Sequence, residues 1–361
     1  MQPARFEVLE ETHNCPFFEF TDLMIQKAIY ILSGITALLI IAFALQPLRK
    51  GQGLDTRTVY QLDKDWPQLP TSIQLGNPTG IDIDTSQQVV VLHRADRKWP
   101  LLGPMPRDRI QQKTVIFIDK DNGQLLPSWG NNLFIMPHGL TVDHENNIWI
   151  TDVGLQQVFK FSNAGQLLLQ LGEAGVTGND STHFNMPTGV AVANDGTFYV
   201  SDGYGNSRIM RFAADGKYLS EWGKKGDKAG EFNIPHGIVL DHHGLVYVAD
   251  RENNRIQVFS ATGHFIKELS GNWGAINSVD FDPLRLQLVA SDDISFLKVK
   301  HRGSDILIFD TAGRVQTRVG RSGFYNGSTT WYHDLATDKE GNIYVGDIQG
   351  NTIQKFKKIT E

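Results

Sequence analysis

From about residue 73 onward, apolar and polar positions alternate in short runs broken by turn residues. A representative stretch reads Leu140-Thr-Val, then His144-Glu-Asn-Asn, then Ile148-Trp-Ile, and after another polar turn Val158-Phe-Lys-Phe. Runs this short, near period two and bounded by turn formers, predict β-strands. A fourth run follows, as at 166–171 and 218–222, so each unit carries four strands.

The unit repeats. Blocks beginning at Pro137 (PHGLTVDHENNIWITD), Pro187 (PTGVAVANDGTFYVSD) and Pro235 (PHGIVLDHHGLVYVAD) are copies of one pattern, and weaker copies begin at Pro78, Ile276 and Tyr332. The six starts lie 41 to 59 residues apart. Four strands in each of six repeats of this length predict an all-β, six-bladed β-propeller over residues 73–358. Ring closure removes the open sheet edges that invite aggregation. A solenoid is the competing arrangement, but the blade turn Asp-x-x-x-Asn-x-Arg-Ile suits a propeller better.

One segment breaks the alternation. Residues Ala28–Leu45 (AIYILSGITALLIIAFAL) form an 18-residue run without charge. A spanning helix needs about 20 apolar residues and the core of a signal peptide about 7–15, so the run falls between the two. Residues 24–45 are therefore expected to form one N-terminal hydrophobic helix, as a signal peptide or a membrane anchor. Residues 1–23 are acidic (Glu7, Glu10, Glu11, Glu19, Asp22) and unlike a signal n-region, whereas Met24-Ile-Gln-Lys27 resembles one and Ala42-Phe43-Ala44 fits a cleavage site. Residues 1–23 then read as an extension upstream of an alternative start at Met24, and 46–72 as a linker. Arg49, Lys50 and Arg57 oppose export by the positive-inside rule, but long domains translocate largely regardless of charge. The body is expected outside the cytoplasm, periplasmic or extracellular, or anchored to a membrane through 28–45.

Composition narrows the function classes. The 361 residues hold 34 Lys and Arg against 40 Asp and Glu, a formal net charge of -6. With 20% charged and 40% hydrophobic residues the chain is globular, and mild acidity argues against a nucleic-acid partner gripped by a basic face. The single cysteine, Cys15, excludes an internal disulfide framework and a cysteine-based zinc site. The 35 glycines are accounted for by turns and by blade entries, as at Gly80, Gly139, Gly189 and Gly237.

In a propeller the first strand of each blade lines the central channel, and here the Pro-x-Gly step marks its entry. The middle residue of that step is, blade by blade, Thr79, His138, Thr188, His236, Asn277 and His333. Alternate blades of six stand about 120° apart, so three imidazoles at one depth converge on the axis. A three-histidine set with an open fourth position suits catalytic zinc. A lone histidine in a β-protein is usually structural; three in strict alternation are not so easily dismissed. His144, His242 and His243 fall in turns and share no such phase. Asp334 follows His333 directly. With the backbone carbonyls of Ile81 and Leu140 it would offer a calcium-type oxygen set, the bland alternative being an aspartate that caps a turn. Arg94, Tyr204 and Arg251 stand just past the second strands of blades one, three and four, where they would overhang the metal or simply pack at the surface. Two guanidiniums there suit a carboxylate-bearing substrate, and a phenol beside the cation suits a general base.

Met-Pro-His138-Gly-Leu, Ser-Asp-Gly-Tyr204-Gly-Asn-Ser-Arg, Ile-Pro-His236-Gly-Ile, Ala-Asp-Arg251-Glu-Asn-Asn-Arg-Ile-Gln and His333-Asp334 resemble, in order, peptidyl-α-hydroxyglycine α-amidating lyase. That family is the second half of the peptide amidation enzyme, a six-bladed propeller of the NHL-repeat type, and the resemblance spans about residues 73–358. It implies cleavage of the N–C bond of a C-terminal α-hydroxyglycine to an amide and glyoxylate. It implies zinc on His138, His236 and His333, Tyr204 as the base, and Arg94 and Arg251 as the carboxylate clamp. It further implies a structural calcium on Asp334 and the carbonyls of Ile81 and Leu140. Two departures stand out: Gly205 where the animal enzymes carry Cys, and Trp331-Tyr332 where the family often has Met-Pro. Their disulfides are also absent. The pocket wall is thereby altered, so a small carbinolamide could replace the peptide. The propeller fills the chain without a hydroxylating copper domain, which implies a separate upstream hydroxylating enzyme. Two other readings stand beside this one: a non-catalytic NHL propeller binding a peptide, glycan or protein partner, and a calcium-dependent lactonase-like hydrolase. The alternating histidines separate the first from the binding propeller, and the pattern does not supply the acidic and Asn residues with which such a hydrolase holds its calcium.

Overall fold

Each repeat folds as a four-stranded antiparallel sheet. In blade two the strands are Pro137–Val142, Ile148–Asp152, Gln157–Phe161 and Leu167–Leu171, paired in chain order. The second strand is buried throughout and the third nearly so, whereas the outermost one exposes Leu167 and Leu168. That gradient explains the sequence pattern: continuous apolar runs lie between neighbouring blades, and alternation returns at the rim. The computed structural model describes residues 60–73, 75–100, 103–282, 287–296, 300–310, 312–320 and 330–359.

Six such sheets are present, and their channel strands are Pro78–Ile83, Pro137–Val142, Gly189–Val192, Pro235–Leu240, Ala275–Asp282 and Tyr332–Thr337. Apolar clusters join neighbouring blades. Trp149 and Val158 of blade two pack with Phe198, Val200, Met210 and Phe212 of blade three, Trp149 and Phe198 having ring centroids 4.5 Å apart. Each fully buried side chain of this size stabilises the fold by about 1.5–3 kcal/mol. Blade five differs in its long second and third strands, Gln287–Phe296 and Lys300–Phe309.

The sixth blade is completed from the other end of the chain. Tyr60–Leu62 pairs antiparallel with Thr352–Lys358, Tyr60 opposite Lys358 and Leu62 opposite Phe356. These three residues fall inside the span expected to be a linker, and they cover what would otherwise be a free edge. The expected hydrophobic helix at 24–45, the extension 1–23 and most of the linker lie outside the described residues. Among the described residues the helical structure is one 3₁₀ turn, Arg251–Asn253, and no helix is long and apolar enough to cross a membrane.

The aspartate that closes the second strand of blades two, three, four and six has a structural task. Asp152 accepts the backbone N–H groups of Ile135 (2.8 Å) and Met136 (3.0 Å), just before the channel strand. Asp202 does the same for Asn185 (2.8 Å), Asp250 for Asn233 (2.7 Å) and Asp347 for Trp331 (2.8 Å). In these four blades the aspartate thus ties the entry loop, just before the channel strand, to the end of the second strand.

Candidate active site

The Pro-x-Gly position behaves differently in odd and even blades. His138, His236 and His333 are buried, and their ring centroids form a near-equilateral triangle with sides of 4.8, 4.7 and 4.9 Å. The ligand-competent atoms of all three lie within 4.8 Å of one another. Each Nδ1 meets a backbone carbonyl of the following blade: Thr188 O at 2.8 Å, Asn277 O at 2.6 Å and Thr79 O at 2.8 Å. A carbonyl only accepts, so each Nδ1 carries the proton and each Nε2 keeps a free lone pair. Burial holds all three rings neutral, His333 being lowered to about 3 and His138 and His236 well below the usual range; Arg94 or Arg251 acts in the same direction on each, and neighbouring rings do so on His138 and His236. Three neutral imidazoles with oriented Nδ1–H groups are the donor set a catalytic zinc takes, so the residues fit such an ion.

The odd-blade residues at the same position complete the ring. The Thr79 hydroxyl donates to Pro137 O (3.2 Å), the Thr188 hydroxyl to Pro235 O (2.8 Å) and the Asn277 amide to Tyr332 O (3.2 Å). Each therefore fixes the peptide immediately before the next histidine while its own carbonyl orients the preceding one. The sequence reading placed these three residues at the site without assigning them a task. The signal was their phase, since they alternate with the histidines.

Above the imidazoles sits Tyr204. Its hydroxyl lies 3.0 Å from His138 Nε2 and 3.1 Å from His236 Nε2, and it accepts a hydrogen bond from Arg251 Nη1 at 3.3 Å. Its backbone N–H reaches Met186 O, as those of Arg94 and Arg251 reach Asn77 O and Ile234 O. The three side chains thus leave the same point of their blades, where blades two and six carry Val153 and Ile348. Arg94 is buried and donates Nε–H to Pro137 O at 2.9 Å, while its Nη2 has no hydrogen-bond partner among the described residues. Burial lowers Arg94 to about 10, which still leaves it charged at neutral pH. Burial also works against the charge on Arg251, but Tyr204 and Glu252 beside it outweigh this and hold it above its usual value. An orphaned guanidinium nitrogen beside three imidazoles is a site for an anionic ligand group.

Deeper in the channel, a cavity of about 250 Å³ continues past the histidines to Asp334, Asp82 and Asp280. Asp334 accepts the Ile81 N–H at 3.0 Å and the Ser278 hydroxyl. In an antiparallel strand a residue's N–H and C=O point to the same side, so the Ile81 carbonyl also faces the channel. Val142 donates its N–H to Asp82 at 2.7 Å, and Leu140, two residues earlier, presents its carbonyl to the same side. Desolvation in the narrow channel pushes Asp334 up to about 7, Asp82 to about 6 and Asp280 to about 8, with Asp82 adding repulsion to the other two. Asp334, Ile81 and Leu140 thus line one cavity, and Asp82 and Asp280 line it too without having been singled out from the sequence.

Comparison with known proteins fits this geometry. The family model described as NHL repeat matches residues 184–212 and 232–259, within blades three and four. Peptidyl-glycine alpha-amidating monooxygenase B of Xenopus laevis is 34% identical over 86% of this chain and 37% of its own length. Peptidyl-alpha-hydroxyglycine alpha-amidating lyase 1 of Drosophila melanogaster is 32% identical over 84% of this chain and 60% of its own length. The chain therefore spans little more than a third of the Xenopus relative. Among solved structures, a streptogramin B lyase superposes with a TM-score of 0.53 at 16% identity, covering 82% of this chain and 97% of that one, a likeness of fold alone.

Proposed function

The chain belongs to the family of the peptidyl-α-hydroxyglycine α-amidating lyases, and from that premise we propose that it is a zinc-dependent lyase. It would cleave the N–C bond of a C-terminal α-hydroxyglycine, releasing an amide and glyoxylate. One observation carries the reading: three buried, neutral imidazoles present Nε2 to a common point directly beneath a tyrosine hydroxyl, between two guanidiniums.

The residues divide the work as follows. The unpartnered Nη2 of Arg94 and the guanidinium of Arg251 bind the substrate carboxylate and hold the hydroxyl-bearing carbon under Tyr204. The Tyr204 oxygen accepts the hydroxyl proton, with the Arg251 Nη1 hydrogen bond directed at that oxygen. The O–H electron pair becomes the glyoxylate C=O, the C–N bond breaks, and the amide nitrogen takes up the proton from Tyr204. Zinc, when bound by His138, His236 and His333, would supply Lewis-acid polarisation of the substrate oxygen.

A calcium ion on Asp334 and the carbonyls of Ile81 and Leu140 would relieve the desolvated carboxylate and tie blades one, two and six together. The departures at Gly205 and at Trp331-Tyr332 bear on the substrate. Trp331 is 38% exposed and stands two positions before the last histidine, where its indole would meet the group preceding the hydroxyglycine. A small acyl carbinolamide fits this reading as well as a peptide does. The substrate presupposes an earlier hydroxylation of a glycine α-carbon. We also propose that the propeller works outside the cytoplasm, on the strength of the apolar run Ala28–Leu45.

The test is glyoxylate release from α-hydroxyhippurate by the purified protein, compared with His236→Ala. Release by the parent and none by the variant is expected. A folded, zinc-loaded parent that releases no glyoxylate contradicts the reading and favours a binding propeller instead.

A further inference from the structure

Residues 94–114 join the second and third strands of blade one and have no counterpart of that length in the other described blades. The segment is braced. Arg97 pairs with Asp108 at 2.8 Å, Ile110 donates its N–H to Phe134 O at 2.8 Å, and Asn132 donates to Ile110 O at 2.8 Å. These bonds carry the segment across the entry of blade two.

Trp99, in this segment, thereby reaches Tyr204 of blade three. The two ring centroids are 5.1 Å apart at 46°. The Arg94 guanidinium lies 5.3 Å from the Trp99 ring, and the Arg251 guanidinium lies 5.3 Å from the Tyr204 ring. The four side chains therefore form one run of contacts: guanidinium, indole, phenol, guanidinium. Both cation–π contacts and tilted aromatic pairs are attractive in these geometries. The chain neighbours of Tyr204 are Gly203 and Gly205, so the side-chain contacts on its ring come from elsewhere in the fold, Trp99 among them.

We infer that Trp99 is a positioning residue of the reaction: by packing between Arg94 and Tyr204 it sets the phenol over the imidazoles and the guanidinium beside it. This rests on the lyase reading of Tyr204 and Arg94. Trp99 touches neither the imidazoles nor, in this account, the reacting atoms.

The experiment compares Trp99→Ala and Trp99→Phe with the parent, using two readouts. In the first, kcat and KM for α-hydroxyhippurate are measured. Trp99→Ala should lower kcat about tenfold or more while KM moves less, since misplacement by about 1 Å can cost about a hundredfold in rate. Trp99→Phe should recover most of the loss, and zinc content should stay at the parent level in both. In the second, the proteins are treated with tetranitromethane and nitration is mapped by mass spectrometry. Tyr204 should be nitrated several-fold faster in Trp99→Ala, whereas Tyr218, on the outer strand of blade three, should not change. Parent-like kcat together with parent-like Tyr204 nitration in Trp99→Ala would overturn the inference. Should the alanine variant not fold, Trp99→Phe and the brace variant Arg97→Ala carry the test, a parent-like kcat and nitration rate in Arg97→Ala counting against it. A parent that releases no glyoxylate refutes the lyase reading, and the nitration rates then decide the role of Trp99 by themselves.

Discussion

Thr79, Thr188 and Asn277 hold the peptides and ring orientations of the three histidines, so their loss should be read in metal affinity before it is read in folding. Thr188→Val keeps the side-chain volume but removes the hydroxyl that reaches Pro235 O. It should weaken zinc retention about 10–100-fold, as removal of outer hydrogen bonds typically does. Competition with a chromophoric chelator measures this, and an unchanged affinity counts against the role. Tyr204→Phe removes the proposed base and leaves the imidazoles alone. It should lower kcat by about 10²–10⁴ with full zinc content, whereas His236→Ala should lose both. At this scale much was readable in the sequence, because the six repeats give an internal comparison: a residue type that alternates at one repeat position declares itself. Trp99 did not, since its segment has no copy to be compared with.

The elements show where chain-local reading stops. The channel strands and their Pro-x-Gly entries were visible because each strand carries its own pattern. Tyr60–Leu62 was not: three residues without a repeat motif become a strand only through Thr352–Lys358, almost 300 positions away. Deleting the chain up to Leu62 should leave that last strand as an open edge, lowering the melting temperature and raising light scattering on heating. A melting curve and scattering trace matching the parent contradict this. The entry loop of blade three makes a second case. A Cβ on Gly205 would collide with the Asn185 side chain, which occupies the space beside the tyrosine loop. Gly205→Cys, which restores the residue of the animal enzymes, should therefore cost about 1–3 kcal/mol by overpacking, seen as a lower melting temperature. Adding Asn185→Gly should return most of it; if the double variant is no better than the single, the collision is not the cause.

The propeller is a ring of six sheets whose channel carries imidazoles at one level and carboxylates further along. The six-bladed plan and the histidine level followed from repeat phase. The carboxylate level was seen only in part, because Asp82 and Asp280 occur in two blades and carry no alternation to mark them. Their chemistry makes stability depend on pH. Desolvation, then Asp82, pushes Asp280 up to about 8, so the folded state holds a proton that the unfolded chain releases near 3.8. Folding is then linked to proton uptake, and the contribution of this group is fully present below 3.8 and lost as the pH rises through about 8. In chelator-treated protein the melting temperature should fall across this window, and Asp280→Asn should flatten the fall; an identical slope contradicts the assignment. The most direct test of the account is a zinc titration of chelator-stripped protein, with glyoxylate release from α-hydroxyhippurate followed at each addition. The account predicts negligible release by the stripped protein and recovery that saturates at one zinc per chain, and undiminished release by protein verified to be free of metal would contradict it.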